Sequence, residues 1–234
     1  MITKEIRKKI ESATVTILKK GGRGVLVRNS MILTAAHCVN WNCDGEMALG
    51  DYYIEEIETI RGKLKVGPLA VEPVTDIAVL GSLDGQTFYH EALDFEDYCE
   101  KVKPVRLFLG KLKQFEKFPI YVYTHKRTWI EGEATKWAGE KVSPLIGIDV
   151  GENIEGGTSG SPVVNEKGNL VSIISHVGGP AGVSRQGTGP RPHLALPVWI
   201  SFRIRKGRFD FDEFTEEERK KIINSMKEKS GEAP

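Results

Sequence analysis

The 234 residues of the chain suffice for one sizeable core or for two lobes of about a hundred residues each. Its 33 basic and 32 acidic residues leave a net charge of +1, which gives no electrostatic case for nucleic acid or an anionic membrane as partner. At 40% hydrophobic and 28% charged residues the composition is that of an ordinary globular protein, and no apolar run approaches the length of a membrane span.

Residues 3–11 place Ile6 and Ile10 four apart among Lys, Arg and Glu, which predicts a short amphipathic helix with Thr3 as N-cap. Thr14–Leu18 reads as a strand, 21–24 as a turn, and Val25–Val27 with Met31–Thr34 as a hairpin that runs into Ala35-Ala36-His37-Cys38. Further strands are predicted at 46–49, 52–59, 63–71 and 77–80. The acidic stretch 84–103 reads as irregular, with 94–104 as the linker between two β lobes. Strands resume at 105–109, 120–124, 128–137 and 145–150, and Val163–Asn165 and Leu170–Ile174 form a hairpin about the turn 166–169. No long helical period is visible between residues 12 and 205. Many short strands separated by Gly, Pro and Asp turns predict an all-β barrel or sandwich. Thr215-Glu216-Glu217-Glu218 has the form of a capping box and, with Ile222, Ile223 and Met226, predicts a C-terminal helix at about 216–229.

The stretch Gly156-Gly157-Thr158-Ser159-Gly160-Ser161-Pro162 suits neither helix nor strand. A loop of this composition can turn so that the N–H groups of Gly157 and Ser159 converge beside the serine hydroxyl, as an oxyanion hole requires. Serine is a weak nucleophile and needs a base with an orienting group. His37, at the end of an apolar strand, and Asp76, at the mouth of Ile77-Ala78-Val79-Leu80, are the candidates. Each also has a structural use, as a core histidine or a turn carboxylate. Cys38 and Cys43 beside His37 lack a clear fourth ligand for zinc, and Cys38 reads as a small buried hydrophobe. His90 and His125 read as surface residues, and His176 and His193 as structural ones.

Thr34-Ala35-Ala36-His37-Cys38 resembles the histidine motif of the chymotrypsin-like (trypsin-fold) serine proteases. Asp76-Ile77-Ala78-Val79-Leu80 resembles their aspartate motif, and Gly157-Thr158-Ser159-Gly160-Ser161-Pro162 their serine motif. The resemblance covers roughly residues 12–205. It implies an all-β fold of two six-stranded antiparallel barrels, with lobe 1 at about 12–95 and lobe 2 at about 104–205 of a single peptidase domain. It further implies a serine endopeptidase with catalytic His37, Asp76 and Ser159, an oxyanion hole at Gly157 and Ser159, and no metal or organic cofactor. Ser175 matches a family position whose hydroxyl supports the aspartate, and Ser175, His176 and Val177 would pair with the substrate backbone. Ile154, Glu155 and Val177 fall near the expected specificity pocket, with His193 close to another wall.

Thr158 stands where digestive members carry an aspartate, and Cys38 has no upstream cysteine to pair with. Both features, with Ser161, look more like the bacterial HtrA-like and glutamyl-endopeptidase-like branches, here without the PDZ domain that HtrA proteins carry. The alternatives are a non-catalytic peptide-binding module on the same double barrel, or an esterase or amidase using the same triad. Protein or peptide substrate is the expected partner, with neither nucleic acid nor membrane. The absence of a signal peptide and the three scattered cysteines point to a reducing, cytoplasmic setting.

Overall fold

The structure is a computed structural model that describes residues 2–40, 53–136, 145–150, 154–175 and 186–206. Helix α1 (Lys4–Ala13) forms as its spacing predicts, with Thr3 accepting from the Ile6 N–H at 3.3 Å and Ile10 and Ala13 buried. Thr14 ends the helix by turning to extended backbone, and its hydroxyl donates to the Ile10 carbonyl at 2.6 Å. The chain thereby passes straight into the first sheet. Strands β1 (Thr14–Ile17), β2 (Arg23–Val27), β3 (Met31–Thr34), β4 (Glu55–Thr59), β5 (Gly62–Glu72) and β6 (Ile77–Gly81) follow. They close a barrel in the order β1-β2-β3-β6-β5-β4, with β4 pairing back to β1. Closure leaves this sheet no open edge.

The second unit is a six-stranded antiparallel sheet built from β7 (Lys117–Tyr123), β8 (Trp129–Lys136), β9 (Leu145–Val150), β10 (Pro162–Asn165), β11 (Leu170–Ile173) and β12 (Gln186–Pro190). Its order is β11-β10-β7-β8-β9-β12. It curls until β11 and β12 approach, but among the described residues no ladder joins them, so the second expected barrel is a half-barrel. The sequence Gln-Gly-Thr-Gly-Pro of β12 explains this. Its pairing with β9 already shifts register between Gly187 and Pro190, and a proline offers no N–H for a further ladder.

Alternation along the strands divides the core. Ile120, Val122, Ile130, Ile148, Val163 and Val171 fill the inside of the curled sheet. Their neighbours Tyr121, Val164, Leu170 and Ile173 face the other way and join the cluster that includes the barrel interior and α1. α1 adds polar ties to the second sheet: the Trp129 indole N–H donates to Glu11 at 2.8 Å, and Arg7 pairs with Glu131 at 3.5 Å.

Three expectations are corrected. Residues 84–103 are not irregular: they contain α2 (Tyr89–Lys101). Its buried Ala92, Phe95 and Tyr98 form one narrow stripe, while Asp94, Glu96, Asp97 and Glu100 face outward and Phe88 at the N-cap makes no side-chain cap. Short helices also occur at α3 (Pro192–Ala195) and α4 (Val198–Lys206), in a region where no long helical period was expected and no helix was assigned. The segment 105–109 is not a strand. Val105 and Leu107 make single parallel bridges to Val27 and Leu170, so this piece lies extended across both sheets. Arg191, almost fully buried, donates to the carbonyls of Phe108 and Gly110 at 2.9 and 2.8 Å and pins the same piece. The expected strand at 46–49, Cys43 and the expected helix at 216–229 lie outside the described residues. No helix among the described residues is long and apolar enough to cross a membrane.

Candidate active site

β3 delivers its last residues into a short 3-10 turn, Ala36–Cys38, which presents His37 with its side chain 46% exposed. Ala35 and Ala36 are small enough to be buried where β3 meets β6. Asp76 precedes β6 and sits in the left-handed region at φ 53°, a conformation that Asp tolerates better than most residues. The two segments are zipped by the backbone, with the Ala36 N–H donating to the Asp76 carbonyl at 3.2 Å. The carboxylate then accepts three hydrogen bonds. Oδ1 accepts the backbone N–H of His37 at 3.0 Å. Oδ2 accepts Nδ1–H of His37 at 2.8 Å and the Ser175 hydroxyl at 2.6 Å.

Ser175 lies just past β11 and joins this pair to the serine loop. Its hydroxyl is on Asp76, and its carbonyl accepts the Ser159 hydroxyl at 3.4 Å. No hydrogen bond between Ser159 and His37 is present; the serine hydroxyl is turned toward residue 175. The structure therefore brings His37, Asp76 and Ser175 into contact and sets Ser159 against Ser175. His176 and Val177 lie outside the described residues.

The loop 154–161 is fixed from both sides. The Ser159 carbonyl accepts the N–H of Arg23 on β2 at 2.7 Å, and the Gly160 N–H donates to the Ile174 carbonyl at 2.6 Å. The Arg23 guanidinium lies over Tyr123 of β7, 5.2 Å from its ring centroid, so one residue binds loop, barrel and curled sheet together. Gly157 has φ 88°, and among the described residues its N–H and that of Ser159 have no intramolecular acceptor. Gly160 is required twice over: its φ is 79°, and a Cβ there would stand 1.8 Å from the Arg23 carbonyl oxygen and 2.6 Å from Thr34 Oγ1. Backbone cannot yield to that overlap as a flexible side chain can. Gly160→Ala is expected to destabilise the fold by at least about 2 kcal/mol. Urea unfolding measures this, and an unchanged midpoint would contradict the packing described.

Two expectations change here. His125, expected on the surface, is partly buried with Nδ1 2.8 Å from Thr158 Oγ1. Nothing local in the sequence signals this, because the contact depends on how the β7–β8 hairpin meets the serine loop. Ile154 is a core residue of the curled sheet, and the Glu155 carboxylate is held by Lys126 at 2.6 Å, which keeps it below the usual carboxyl range. His193 sits on α3. Cys38 is buried, and its thiol is pushed up to about 12 by burial, with the Asp76 charge adding to it, so it is a packing residue and no nucleophile. Among the described residues Cys38 and Cys99 are free thiols, and no cluster of side chains could hold a metal ion.

Residues 22–173 match the trypsin-like peptidase domain family, a span that includes His37, Asp76 and Ser159. No curated protein matches the sequence. Among solved structures, the Rv3671c protease in an inactive form is similar at 13% identity and TM-score 0.52, over 86% of this chain and 92% of that one. A serine endoprotease from Yersinia pestis is similar at 15% identity and TM-score 0.55, over 86% of this chain and 66% of that one. At these identities the likeness is one of fold.

Proposed function

Because the chain belongs to the trypsin-like peptidase domain family, we propose that it is a serine endopeptidase acting within protein or peptide chains. The observation that carries this reading is the Asp76 carboxylate, which takes both Nδ1–H of His37 and the hydroxyl of Ser175. With Nδ1–H bound there, Nε2 of His37 keeps its lone pair for a proton from Ser159. Catalysis requires the Ser159 hydroxyl, which rests on the Ser175 carbonyl at 3.4 Å, to turn toward that nitrogen; such bonds are often loose before substrate arrives.

Ser159 Oγ then attacks the scissile carbonyl carbon while His37 takes its proton. The negative oxygen of the tetrahedral intermediate receives the N–H groups of Gly157 and Ser159, each worth about 3 kcal/mol in related sites. The C–N bond breaks as His37 returns the proton to the leaving amine. Water, deprotonated by the same imidazole, releases the acyl group and regenerates the serine.

A library of peptides blocked at both ends, incubated with the protein and followed by mass spectrometry, tests the assignment. Internal cleavage is the expected result. Turnover confined to small esters would make the protein an esterase, and binding without turnover would make it a peptide-binding module; either outcome would displace the endopeptidase reading.

A further inference from the structure

The two N–H groups proposed as oxyanion donors flank Thr158, and neither is anchored by its own hydrogen bond among the described residues. The peptide joining Gly156 and Gly157 has little to hold it. A Cβ on Gly156 would meet nothing within 4 Å, and Gly157 already occupies the left-handed region. Two consecutive glycines give that peptide low barriers to rotation. The Thr158 N–H closes a turn on the Glu155 carbonyl, but that bond spans the Gly156–Gly157 peptide without fixing which way it faces, so a contact from outside the turn is needed to set the direction of the Gly157 N–H.

His125 meets that need. It lies in the tight turn between β7 and β8, which is itself well braced. The Thr124 N–H donates to the Thr128 carbonyl at 2.9 Å, the Arg127 N–H to the Thr124 carbonyl at 3.0 Å, and the hydroxyls of Thr124 and Thr128 share a bond of 2.8 Å. From this platform the imidazole reaches the serine loop at three points. Nδ1 shares a hydrogen bond of 2.8 Å with Oγ1 of Thr158, a fully buried residue. Ring carbons Cγ and Cδ2 lie 3.5 and 3.6 Å from where a Cβ on Gly157 would stand, so the ring covers that face of the glycine. Nε2 is 4.0 Å from the Glu155 carboxylate, which Lys126 of the same turn also binds. The Thr158 N–H donates to the Glu155 carbonyl at 3.3 Å and closes the loop on itself.

We propose that His125 is a positioning residue for the oxyanion hole: bound to the Thr158 hydroxyl and laid against Gly157, it keeps the Gly157 and Ser159 N–H groups converged. The proposal rests on the serine endopeptidase reading of the site. His125 itself touches no reacting atom. Its contribution lies in the transition state, because the donors matter most once negative charge has formed on the carbonyl oxygen.

The test compares wild type with His125→Phe and Thr158→Val. The valine change removes only the hydroxyl at constant shape, and so serves if the phenylalanine variant folds poorly. Each is expected to lower kcat about 10- to 100-fold with KM within about twofold, as for a partial loss of oxyanion donors. A peptide boronate, whose tetrahedral adduct occupies the same hole, is expected to bind more weakly by the factor lost in kcat/KM. His125→Asn, whose amide nitrogen takes the place of Nδ1, is expected to restore kcat to within about fivefold of wild type. The double variant is expected to be no worse than His125→Phe alone, since both changes break one contact. Unchanged kcat, a rise in KM at constant kcat, or an asparagine variant as poor as phenylalanine would overturn the proposal. If wild type hydrolyses peptide and reacts with a fluorophosphonate at Ser159 while the variants match it, this inference alone fails. If wild type does neither, the reading of the site fails and takes this inference with it.

Discussion

Ser159→Ala is expected to lower peptide turnover about a million-fold while leaving KM near its wild-type value. The size follows from the lack, among the described residues, of a substitute nucleophile near His37. Cys38 is next in sequence, but its sulfur packs toward Gly22, 2.4 Å from where a Cβ on that glycine would stand, and its thiol stays protonated up to about 12. Ser161 is fully buried, and the Ser175 hydroxyl is committed to Asp76. Without Ser159 only positioning and the oxyanion donors remain, which leave about a thousand- to ten-thousand-fold over the uncatalysed reaction. Steady-state kinetics with a peptide substrate measure the loss. A variant that retains even a tenth of wild-type kcat would show that the reaction runs through another group.

Asp76→Asn is expected to cost about ten-thousand-fold in kcat with the fold intact. Asp76 serves as acceptor to three donors, two at Oδ2 and the His37 backbone N–H at Oδ1. An asparagine has one acceptor oxygen and one NH2 group. If the NH2 sat at the Oδ1 position it would face the backbone N–H of His37, which cannot change its role. The NH2 must therefore take the Oδ2 position. There the Ser175 hydroxyl can rotate to accept, but His37 must present a bare Nδ1 and move its proton to Nε2. That tautomer cannot take the Ser159 proton. Asparagine also tolerates the left-handed backbone at position 76, so the loss separates chemistry from folding. Kinetics alongside a thermal melt give the answer. Activity within about tenfold of wild type at an unchanged melting temperature would remove Asp76 from the proposed mechanism.

What the sequence disclosed depended on the range of the interaction. The β2–β3 hairpin was legible because Val25–Val27 and Met31–Thr34 flank a turn whose Asn29 and Ser30 adopt positive φ. α1 was legible through Ile6, Ile10 and the Thr3 cap. α2 was not: its apolar stripe is only as wide as the surface of β5 it covers, and its first turn lacks a capping side chain. β12 was missed because Gln-Gly-Thr-Gly-Pro has no strand propensity, and its pairing with β9 alone makes it extended. His37, Asp76 and Ser159 stood out because each sits in a short local motif. His125 and Arg23 reach the serine loop through contacts between distant elements, the first by a side chain and the second by its backbone N–H. No local pattern encodes such a contact.

The most direct measurement is the rate at which a fluorophosphonate modifies the native protein, with the adduct located by mass spectrometry, in wild type and in His37→Ala. The proposed mechanism predicts a single stoichiometric adduct on Ser159 in wild type and a rate lower by several orders of magnitude once the imidazole is gone. Equal rates in the two proteins, or an adduct on a different residue, would contradict it.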